Sequence, residues 1–199
     1  ILIGHKDHQE IIGTSGEAPD QTVVVDSVEA VDRLVVKDPE RLAFLTQTTL
    51  SLYDTREIVA RLRERFPSVI GPASDDICYA TQNRQEAVEA VAKEVQLILV
   101  VGSPNSSNSN RLVEVAERCG VMARLIDDAS GINPEWLTGV ESVGLTAGAS
   151  APEVLVQQVS LYLSTLGFTD QRDIDLIHED VRFTLPSELA QIAPAAAKA

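Results

Sequence analysis

The chain has 199 residues, of which 44% are apolar and 23% charged, and its formal net charge is -14 at pH 7. This length allows one large or two small globular domains. The negative charge makes a nucleic-acid backbone or an anionic membrane surface a poor partner. No apolar run reaches the roughly 20 residues of a membrane-spanning helix, and no basic-then-apolar leader is present. We therefore expect a cytoplasmic protein that binds neither nucleic acid nor a membrane.

The first residues read as the second half of a buried strand. Ile1, Leu2 and Ile3 are apolar and run into Gly4, and the one methionine of the sequence is Met122. Translation does not begin in this way. We therefore expect the sequence to open inside a longer protein.

An apolar strand, then small polar residues, then a helix recurs along the chain. The strand patterns cover residues 1–3, 42–45, 68–70, 97–101 and 143–145. The helical patterns cover residues 52–66, 81–95, 111–118 and 150–166. This alternation predicts an α/β fold built from parallel sheets.

A run of Pro and Gly at residues 67–74 predicts a boundary between two similar small α/β units. We place one parallel-sheet unit at residues 1–72, a second at residues 73–168 and a C-terminal tail at residues 169–199. Residues 181–186 of the tail alternate as a lone strand. The end of the tail after Pro194 is expected to fray.

The most informative pattern is the apolar strand at residues 97–101 followed by a polar cluster at residues 106–110. Open parallel sheets bind ligands beyond the carboxyl ends of such strands. Ser and Asn are also favoured helix N-caps, but one cap uses one residue. Together with the free amides of a helix N-terminus, the cluster favours binding of an anion such as a phosphate.

Two histidines and a glutamate shortly after the first strand are candidates for a functional role. His5, His8 and Glu10 offer imidazole and carboxylate groups for proton transfer, anion binding or metal ligation. An exposed cluster without a role is an equal alternative. A zinc site would need two more ligands, and the sequence has no Cys-x-x-Cys pair to supply them.

Cys78 and Cys119 are the only cysteines, and their spacing suggests neither a disulfide framework nor a zinc site. Cys78 precedes a predicted helix, whose N-terminus favours a thiolate that acts as a nucleophile or as one ligand of a metal cluster. A buried, inert thiol is an equal alternative. Cys119 fits the packing of a helix end.

Other polar residues have structural explanations of their own. Thr48 and Thr49 stand beside a predicted Ser51 cap, and Ser150 opens a Ser-Ala-Pro-Glu capping box, so capping alone explains them. Paired acids at residues 75–76 and 127–128 suggest magnesium, but acids in loops are usually solvated. His178 lies in the charged tail and is expected to be solvated.

Five motifs occur in order along the chain. They are Gly-His at residues 4–5 with His-Gln-Glu at 8–10 and Gly-Thr at 13–14, Thr-Gln-Thr-Thr-Leu-Ser at 46–51, Asp-Asp-Ile-Cys-Tyr-Ala-Thr-Gln-Asn-Arg at 75–84, Val-Gly-Ser at 101–103 with Asn-Ser-Ser-Asn-Ser at 105–109, and Thr-Ala-Gly-Ala-Ser-Ala-Pro at 146–152. Together they resemble the 4-hydroxy-3-methylbut-2-enyl diphosphate reductase family of bacterial type, also called the LytB family. The resemblance covers residues 1 to about 167 and the segment 183–189.

The resemblance implies an iron-sulfur oxidoreductase of the non-mevalonate isoprenoid pathway. Such an enzyme removes the hydroxyl of an allylic diphosphate with two electrons and gives isopentenyl and dimethylallyl diphosphate. The family architecture has three α/β units with pseudo-threefold symmetry around a 4Fe-4S cluster, which is held by one cysteine from each unit. Cys78 matches the third of these ligands.

The resemblance also implies roles for individual side chains. Glu10 matches the proton donor, His8 matches a histidine that contacts the diphosphate, and Thr48 matches the threonine beside the substrate hydroxyl. The residues that match the diphosphate cradle are Ser106, Ser107, Asn108 and Ser150. Thr48 and Ser150 thereby gain a functional reason beside capping, whereas Cys119 matches no cluster ligand.

The family's first unit, with one cluster cysteine and two further histidines, and a second cysteine just ahead of Ile1 are missing from this sequence. We expect the chain to be the second and third units plus the tail, with one of three cluster ligands, and to be inactive by itself. The expected partners are a small allylic diphosphate, a ferredoxin or flavodoxin electron donor and the missing N-terminal unit. The alternative is a cluster-free diphosphate-binding α/β module without catalysis.

Overall fold

Two three-stranded parallel sheets form the framework of the molecule, which a computed structural model describes over residues 1–72, 76–174 and 184–186. The strands are β1 (Leu2–Ile3), β2 (Val24–Val25), β3 (Leu45–Thr46), β4 (Leu97–Val101), β5 (Met122–Ile126) and β6 (Val143–Ala147). The first sheet has the order β2-β1-β3 and the second β5-β4-β6, with all neighbours parallel. The α/β fold predicted from the alternation is confirmed.

Helices connect and cover these strands. Within the described residues they are α1 (Gln9–Glu17), α2 (Val28–Asp32), α3 (Leu52–Arg65), α4 (Tyr79–Val91), α5 (Ser107–Arg118) and α6 (Glu153–Thr165), with short 3-10 turns at Ala129–Gly131 and Pro134–Leu137. Pro67 follows the end of α3, as the sequence predicts. No helix in this part of the chain combines the length and apolar character needed to cross a bilayer.

Strand β4 is the central strand of the second sheet, and each of its five residues is 0% exposed. Leu97, Leu99 and Val101 pack on one face with side chains of α6. Ile98 and Val100 pack on the other face with side chains of α4 and α5. A strand covered on both faces needs a continuous apolar run, which is the pattern that predicted it.

The first sheet is built from much shorter strands and has its own core. Ile3 and Val25 pack there with Ile58 and Leu62 of α3, and with Ile77 from the segment that precedes α4. Residues 68–70, which the sequence predicts as a strand, contribute a single parallel bridge between Ala43 and Ile70. Burial against α3 therefore stabilises this sheet in addition to its few backbone pairs.

Some predicted boundaries are wrong by several residues. The helix predicted at 81–95 is α4, which ends at Val91 because residues 93 and 94 continue with tighter i to i−3 hydrogen bonds. The helix predicted at 111–118 begins earlier, at Ser107. Residues 184–186 are not in a strand. The rest of that predicted strand, His178 and the end of the tail lie outside the described residues, and the unit boundaries at 72 and 168 stay predictions.

Candidate functional site

The polar residues singled out in the sequence follow the carboxyl ends of four parallel strands. His5, His8 and Glu10 come after β1, and the residues from Gln47 to Thr49 come after β3. The cluster at 106–110 comes after β4, and Ser150 comes after β6. Parallel sheets collect such loops at one edge, which is where a ligand site is expected.

Glu10 and Thr48 are joined by two hydrogen bonds. The backbone N–H of Thr48 donates to Glu10 Oε1 at 3.0 Å, and the Thr48 hydroxyl donates to Glu10 Oε2 at 3.0 Å. Both carboxylate oxygens are thus committed to one residue of the β3 loop. The side chain is partly buried, so the pair forms a fixed route between a carboxylate and a hydroxyl.

His8 caps helix α1. Its Nδ1 accepts from the backbone N–H of Glu10 at 3.3 Å. An imidazole nitrogen that accepts carries no proton, so the proton of neutral His8 is assigned to Nε2. The cap therefore leaves His8 with an Nε2–H donor for another group.

The polar cluster after β4 forms the first turn of α5 and the loop before it. Ser106 is the N-cap, and its Oγ accepts from the backbone N–H of Ser109 at 3.3 Å and from the Ser109 hydroxyl at 3.0 Å. Asn108 is 7% exposed, and neither its Oδ1 nor its Nδ2 has a hydrogen-bond partner. Buried amides are normally paired, so the unpaired amide of Asn108 stands out within the described part of the chain.

Two glycines allow α5 to sit close to the strand ends. A Cβ atom at Gly102 would lie 2.2 Å from the Ser109 Oγ, and one at Gly148 would lie 2.1 Å from the same oxygen. Ser109 itself is 1% exposed. The turn that carries Asn108 is therefore seated between the ends of β4 and β6, where a side chain on either glycine would displace it.

This seating predicts opposite effects for two Gly→Ala substitutions. Gly102→Ala must push Ser109 away, and overpacking of this kind costs about 1–3 kcal/mol of unfolding free energy. The matched control is Gly13→Ala within α1, where a Cβ atom meets nothing within 4 Å. That change is expected to stabilise the protein by about 0.5–1 kcal/mol. Urea unfolding measures both, and equal stabilities of the two variants would contradict the close seating of α5.

Gln47 connects the two sheets. It is 0% exposed, its Oε1 accepts from the backbone N–H of His5 at 3.1 Å, and its Nε2 donates to Thr49 Oγ1 at 3.0 Å and to Ser107 Oγ at 3.3 Å. The Thr49 hydroxyl also lies 2.9 Å from Ser107 Oγ. The β3 loop and the N-terminus of α5 are therefore held together by side-chain hydrogen bonds.

Arg111 makes a second connection between the two halves. Its guanidinium pairs with Glu114, lies 3.5 Å from Asp54 Oδ2 of α3 and lies 3.3 Å from His5 Nε2. Arg111 can only donate, so His5 accepts there through Nε2. A small cavity of about 90 Å³ beside this group is lined by Asp26 and Asp54 as well as by Arg111. The two carboxylates make it a poor anion site.

Cys78 is the N-cap of α4 and is exposed. Its backbone N–H donates to the Thr48 carbonyl at 3.0 Å, which places the cysteine loop beside the Glu10 and Thr48 pair. Asp76 fixes the same loop by accepting from the backbone N–H of Thr46 at 2.9 Å. Of the two alternatives for Cys78, the buried, inert thiol is therefore wrong, and an accessible thiol lies in the loop beside the polar site.

Ser150 does not cap a helix. Helix α6 begins at Glu153 with Pro152 as its N-cap and without a side-chain capping bond, because the proline sets the extended entry to the helix. The Ser150 side chain is exposed in the turn after β6. The capping-box interpretation is thus wrong, and the Ser150 hydroxyl is available to a ligand.

The described residues do not form a metal centre by themselves. Across residues 1–72, 76–174 and 184–186, no group of three or more His, Cys, Asp or Glu side chains could hold a metal ion. Cys119 is the C-cap of α5, at the opposite end of that helix from Ser106. Asp128 caps the turn Ala129–Gly131, and its hydrogen bonds with Ser130 lower the pKa of that carboxyl. The magnesium alternative gains no support, and Asp75 lies outside the described residues.

Sequence reasoning missed three of the residues that hold this site together. Gln47, Asp76 and Arg111 all bond to residues at least 30 positions away or across the two sheets. All three residues lie within or close to one of the five motifs. Only Gln47 has a sequence feature from which its buried role could have been predicted. It is an amide directly after an apolar strand, where a fully buried polar residue must find partners.

The comparisons with known proteins agree with the five motifs. The profile of the LytB protein family matches residues 1–164. The 4-hydroxy-3-methylbut-2-enyl diphosphate reductase of Ralstonia nicotianae is 55% identical over 189 residues, which are 95% of this chain and 58% of that protein. The enzyme of the same name from Actinobacillus pleuropneumoniae is 52% identical over 192 residues, with 95% and 61% covered.

A solved structure is similar over nearly the whole chain. The E-1-hydroxy-2-methyl-but-2-enyl-4-diphosphate reductase of Plasmodium falciparum superposes with a TM-score of 0.89 at 36% identity, covering 96% of this chain and 61% of the other. The chain thus spans about three fifths of the length of these relatives. The profile match and these identities establish that the chain belongs to the LytB family.

Proposed function

We propose that this chain supplies the diphosphate-binding and proton-donating part of an enzyme that converts 4-hydroxy-3-methylbut-2-enyl diphosphate into isopentenyl and dimethylallyl diphosphate. The observation that carries the proposal is Asn108, a buried amide without a partner on the first turn of α5. Relatives that carry the reductase name support the reaction. The chain spans 58% to 61% of their lengths, so the activity of the whole protein is itself part of this proposal.

The diphosphate is bound by neutral donors and a helix N-terminus. The first-turn amides of α5 carry its positive dipole end and have no partners within the helix, although that of Ser109 is taken by the Ser106 cap. Asn108 Nδ2, the hydroxyls of Ser106, Ser107 and Ser150, and His8 Nε2–H add side-chain donors. Hydrogen bonds to a charged acceptor are stronger than neutral ones, and more so in a site that excludes water. An acidic chain can therefore bind an anion without a basic field.

We assign delivery of a proton to Glu10, which must first take up that proton because both of its oxygens accept hydrogen bonds from Thr48 in this structure. The overall reaction adds two electrons and two protons to the substrate and releases water. Glu10 Oε2 and the Thr48 hydroxyl are 3.0 Å apart, which is within range for proton transfer. Thr48 stands between this carboxylate and the Cys78 loop, so it is placed to orient the substrate hydroxyl while Glu10 supplies the proton.

The iron-sulfur cluster implied by the family needs ligands beyond this chain. The exposed Cys78 thiol fits one ligand, and neither Cys119 nor any other described group adds a second, so the residues present do not fit a cluster with three cysteines. When bound, such a cluster would supply electrons and a Lewis-acidic iron. The proposed partners are accordingly an N-terminal unit with the remaining cysteines and a ferredoxin or flavodoxin as electron donor.

A cluster-free binding module is the second candidate function. It is favoured by the fact that the α5 cradle is formed by this chain while the metal ligands are not. Titration of the chain with inorganic pyrophosphate by calorimetry tests the binding part of both proposals. The absence of any heat of binding at millimolar pyrophosphate would contradict both.

A fused protein separates the two candidates. We define it as the part of the Ralstonia nicotianae relative that precedes the matched segment, followed by this chain. Under anaerobic reconstitution we expect it to take up iron and to reduce the butenyl diphosphate. Cys78→Ser should abolish both, whereas the control Cys119→Ser should retain both. Retained iron uptake and turnover in the Cys78→Ser variant would contradict the reductase proposal for this chain.

A further inference from the structure

The outer edge of β3 needs hydrogen-bond acceptors of its own. This strand lies at one side of the first sheet, whose order is β2-β1-β3. The N–H groups of Leu45 and Gln47 donate to carbonyls of the β1 segment at 3.0 and 2.8 Å. Alternate residues of a strand turn their N–H groups to opposite sides, so those of Phe44 and Thr46 face away from β1.

Two different kinds of acceptor serve this outer edge. The Phe44 N–H donates to the Ile70 carbonyl at 2.9 Å, within a single parallel bridge. Residues 71–72 are not in a strand, so the pairing does not continue along β3. The Thr46 N–H donates instead to Asp76 Oδ2 at 2.9 Å. The carboxylate therefore fills the place that the next carbonyl of a paired strand would take.

Asp76 begins a short segment, residues 76–78, that we call the cysteine segment. It is tied to the first sheet at two further points, because the Cys78 N–H donates to the Thr48 carbonyl at 3.0 Å and Ile77 is 6% exposed in the first core. Gln82 Nε2 also donates to the Ile77 carbonyl at 2.8 Å. The segment thus follows β3, although α4, which begins directly after it, packs in the core of the second sheet.

Thr48 is held from two directions as a result. Its N–H and hydroxyl donate to Glu10, and its carbonyl accepts from the Cys78 N–H. The bond between Asp76 and Thr46 lies two residues before this point on both segments. It therefore sets the register in which the cysteine segment runs beside β3. Without it, a single backbone hydrogen bond remains between the two segments on this side of Thr48.

We propose that Asp76 is a positioning residue that aligns the cysteine segment with β3 and so holds Thr48 against Glu10. The inference rests on the proposed function, which assigns Thr48 and Glu10 to the reaction. What the position requires is an acceptor oxygen. Thr46 is 8% exposed, so water has little access to its N–H when that oxygen is removed, and a buried donor without a partner is costly.

Amide hydrogen exchange of the ligand-free chain, followed by nuclear magnetic resonance, tests the alignment. Asp76→Ala should raise the exchange rates of the Thr46 and Cys78 amides by about tenfold, because local opening becomes easier. Asp76→Asn keeps an oxygen that can accept the same bond, so both rates should stay within about threefold. The matched control is Asp20→Ala at an exposed position outside this segment, which should change neither rate.

The amides of β4 separate positioning from a general structural role. They lie in the core of the second sheet, so they report the stability of the fold and should keep their rates in Asp76→Ala. Equal acceleration at β4, or unchanged rates at Thr46 and Cys78, would overturn the proposal. If Asp76→Ala does not fold, the unmodified chain decides, because unprotected Thr46 and Cys78 amides there would overturn it as well.

The fused protein connects the alignment with the reaction. Asp76→Ala should lower kcat by at least about tenfold, because small misplacements of reacting groups are costly. KM should change less than about threefold, since the cysteine segment lies outside the α5 cradle. Asp76→Asn should restore kcat to within about threefold, and an equal loss in both variants would overturn the proposal. If the exchange results hold but the fused protein shows no turnover, the proposed function fails while the alignment by Asp76 stands.

Discussion

Glu10→Gln in the fused protein is expected to lower turnover by about 10²–10⁴-fold, the usual contribution of a positioned general acid. An amide of the same shape cannot deliver a proton to the substrate. Binding of the diphosphate should change little, because Glu10 bonds to Thr48 and lies outside the α5 cradle. The assay uses a strong small-molecule reductant, so that electron supply does not limit the rate.

Structural damage is a weak alternative explanation for such a loss. Glutamine can keep Oε1 on the Thr48 N–H and donate through Nε2 to the Thr48 oxygen, which only needs to turn its hydroxyl. The change in unfolding free energy should therefore stay below about 1 kcal/mol. The matched control is Glu17→Gln at the last residue of α1, an exposed carboxylate that should leave turnover unchanged. Turnover of Glu10→Gln within threefold of the unmodified protein would remove the proton-donor role.

Two of the three strands of the second sheet, β4 and β6, could be predicted because their signals are local, whereas β5 (Met122–Ile126) was not predicted. A continuous apolar run predicts β4, and all five residues are buried on both faces. The start of α5 was placed too late, at residue 111, because a run of Ser and Asn is typical of a loop. The helix begins at Ser107 because Ser106 caps it and because the glycines that directly follow β4 and β6, Gly102 and Gly148, leave room for its first turn.

The capping-box motif that begins at Ser150 predicts the wrong structural role for this serine, because the motif contains a proline. Ser150 and Glu153 have the spacing of a capping box, but Pro152 occupies the N-cap position and the serine is left exposed. The position of Ser150 at a strand end and its match to the diphosphate cradle were predicted, whereas the absence of a capping role was not. Local patterns give element type here more reliably than they give the use of each side chain.

The connections between the two sheets could not be predicted from periodicity. Gln47 and Ser107 are 60 positions apart in the sequence, and His5 and Arg111 are 106 apart. Each of these residues has an ordinary local explanation, as the end of a strand, a helix start or a solvated charge. Their contacts exist only after both sheets have formed, so the sequence predicts the parts of the site better than their arrangement.

The largest expected effect on binding comes with a gain in stability. Asn108→Leu in this chain removes a buried amide whose two polar atoms have no partner, a cost of about 1–3 kcal/mol for each unsatisfied group. The ligand-free variant is therefore expected to be more stable than the unmodified chain by about 1 kcal/mol. The same change should weaken pyrophosphate binding by about 30- to 100-fold, because a hydrogen bond to a charged group is lost.

Asn110→Ala is the matched control for the predicted combination of higher stability and weaker pyrophosphate binding. Asn110 is two residues further along α5, but its Nδ2 is satisfied by the carbonyls of Pro104 and Ser106 at 2.8 and 2.9 Å. Removing it should therefore destabilise the chain by about 1 kcal/mol instead of stabilising it. Urea unfolding with and without pyrophosphate measures all of these quantities. If Asn108→Leu is less stable than the unmodified chain and binds pyrophosphate equally well, Asn108 serves packing and not a ligand.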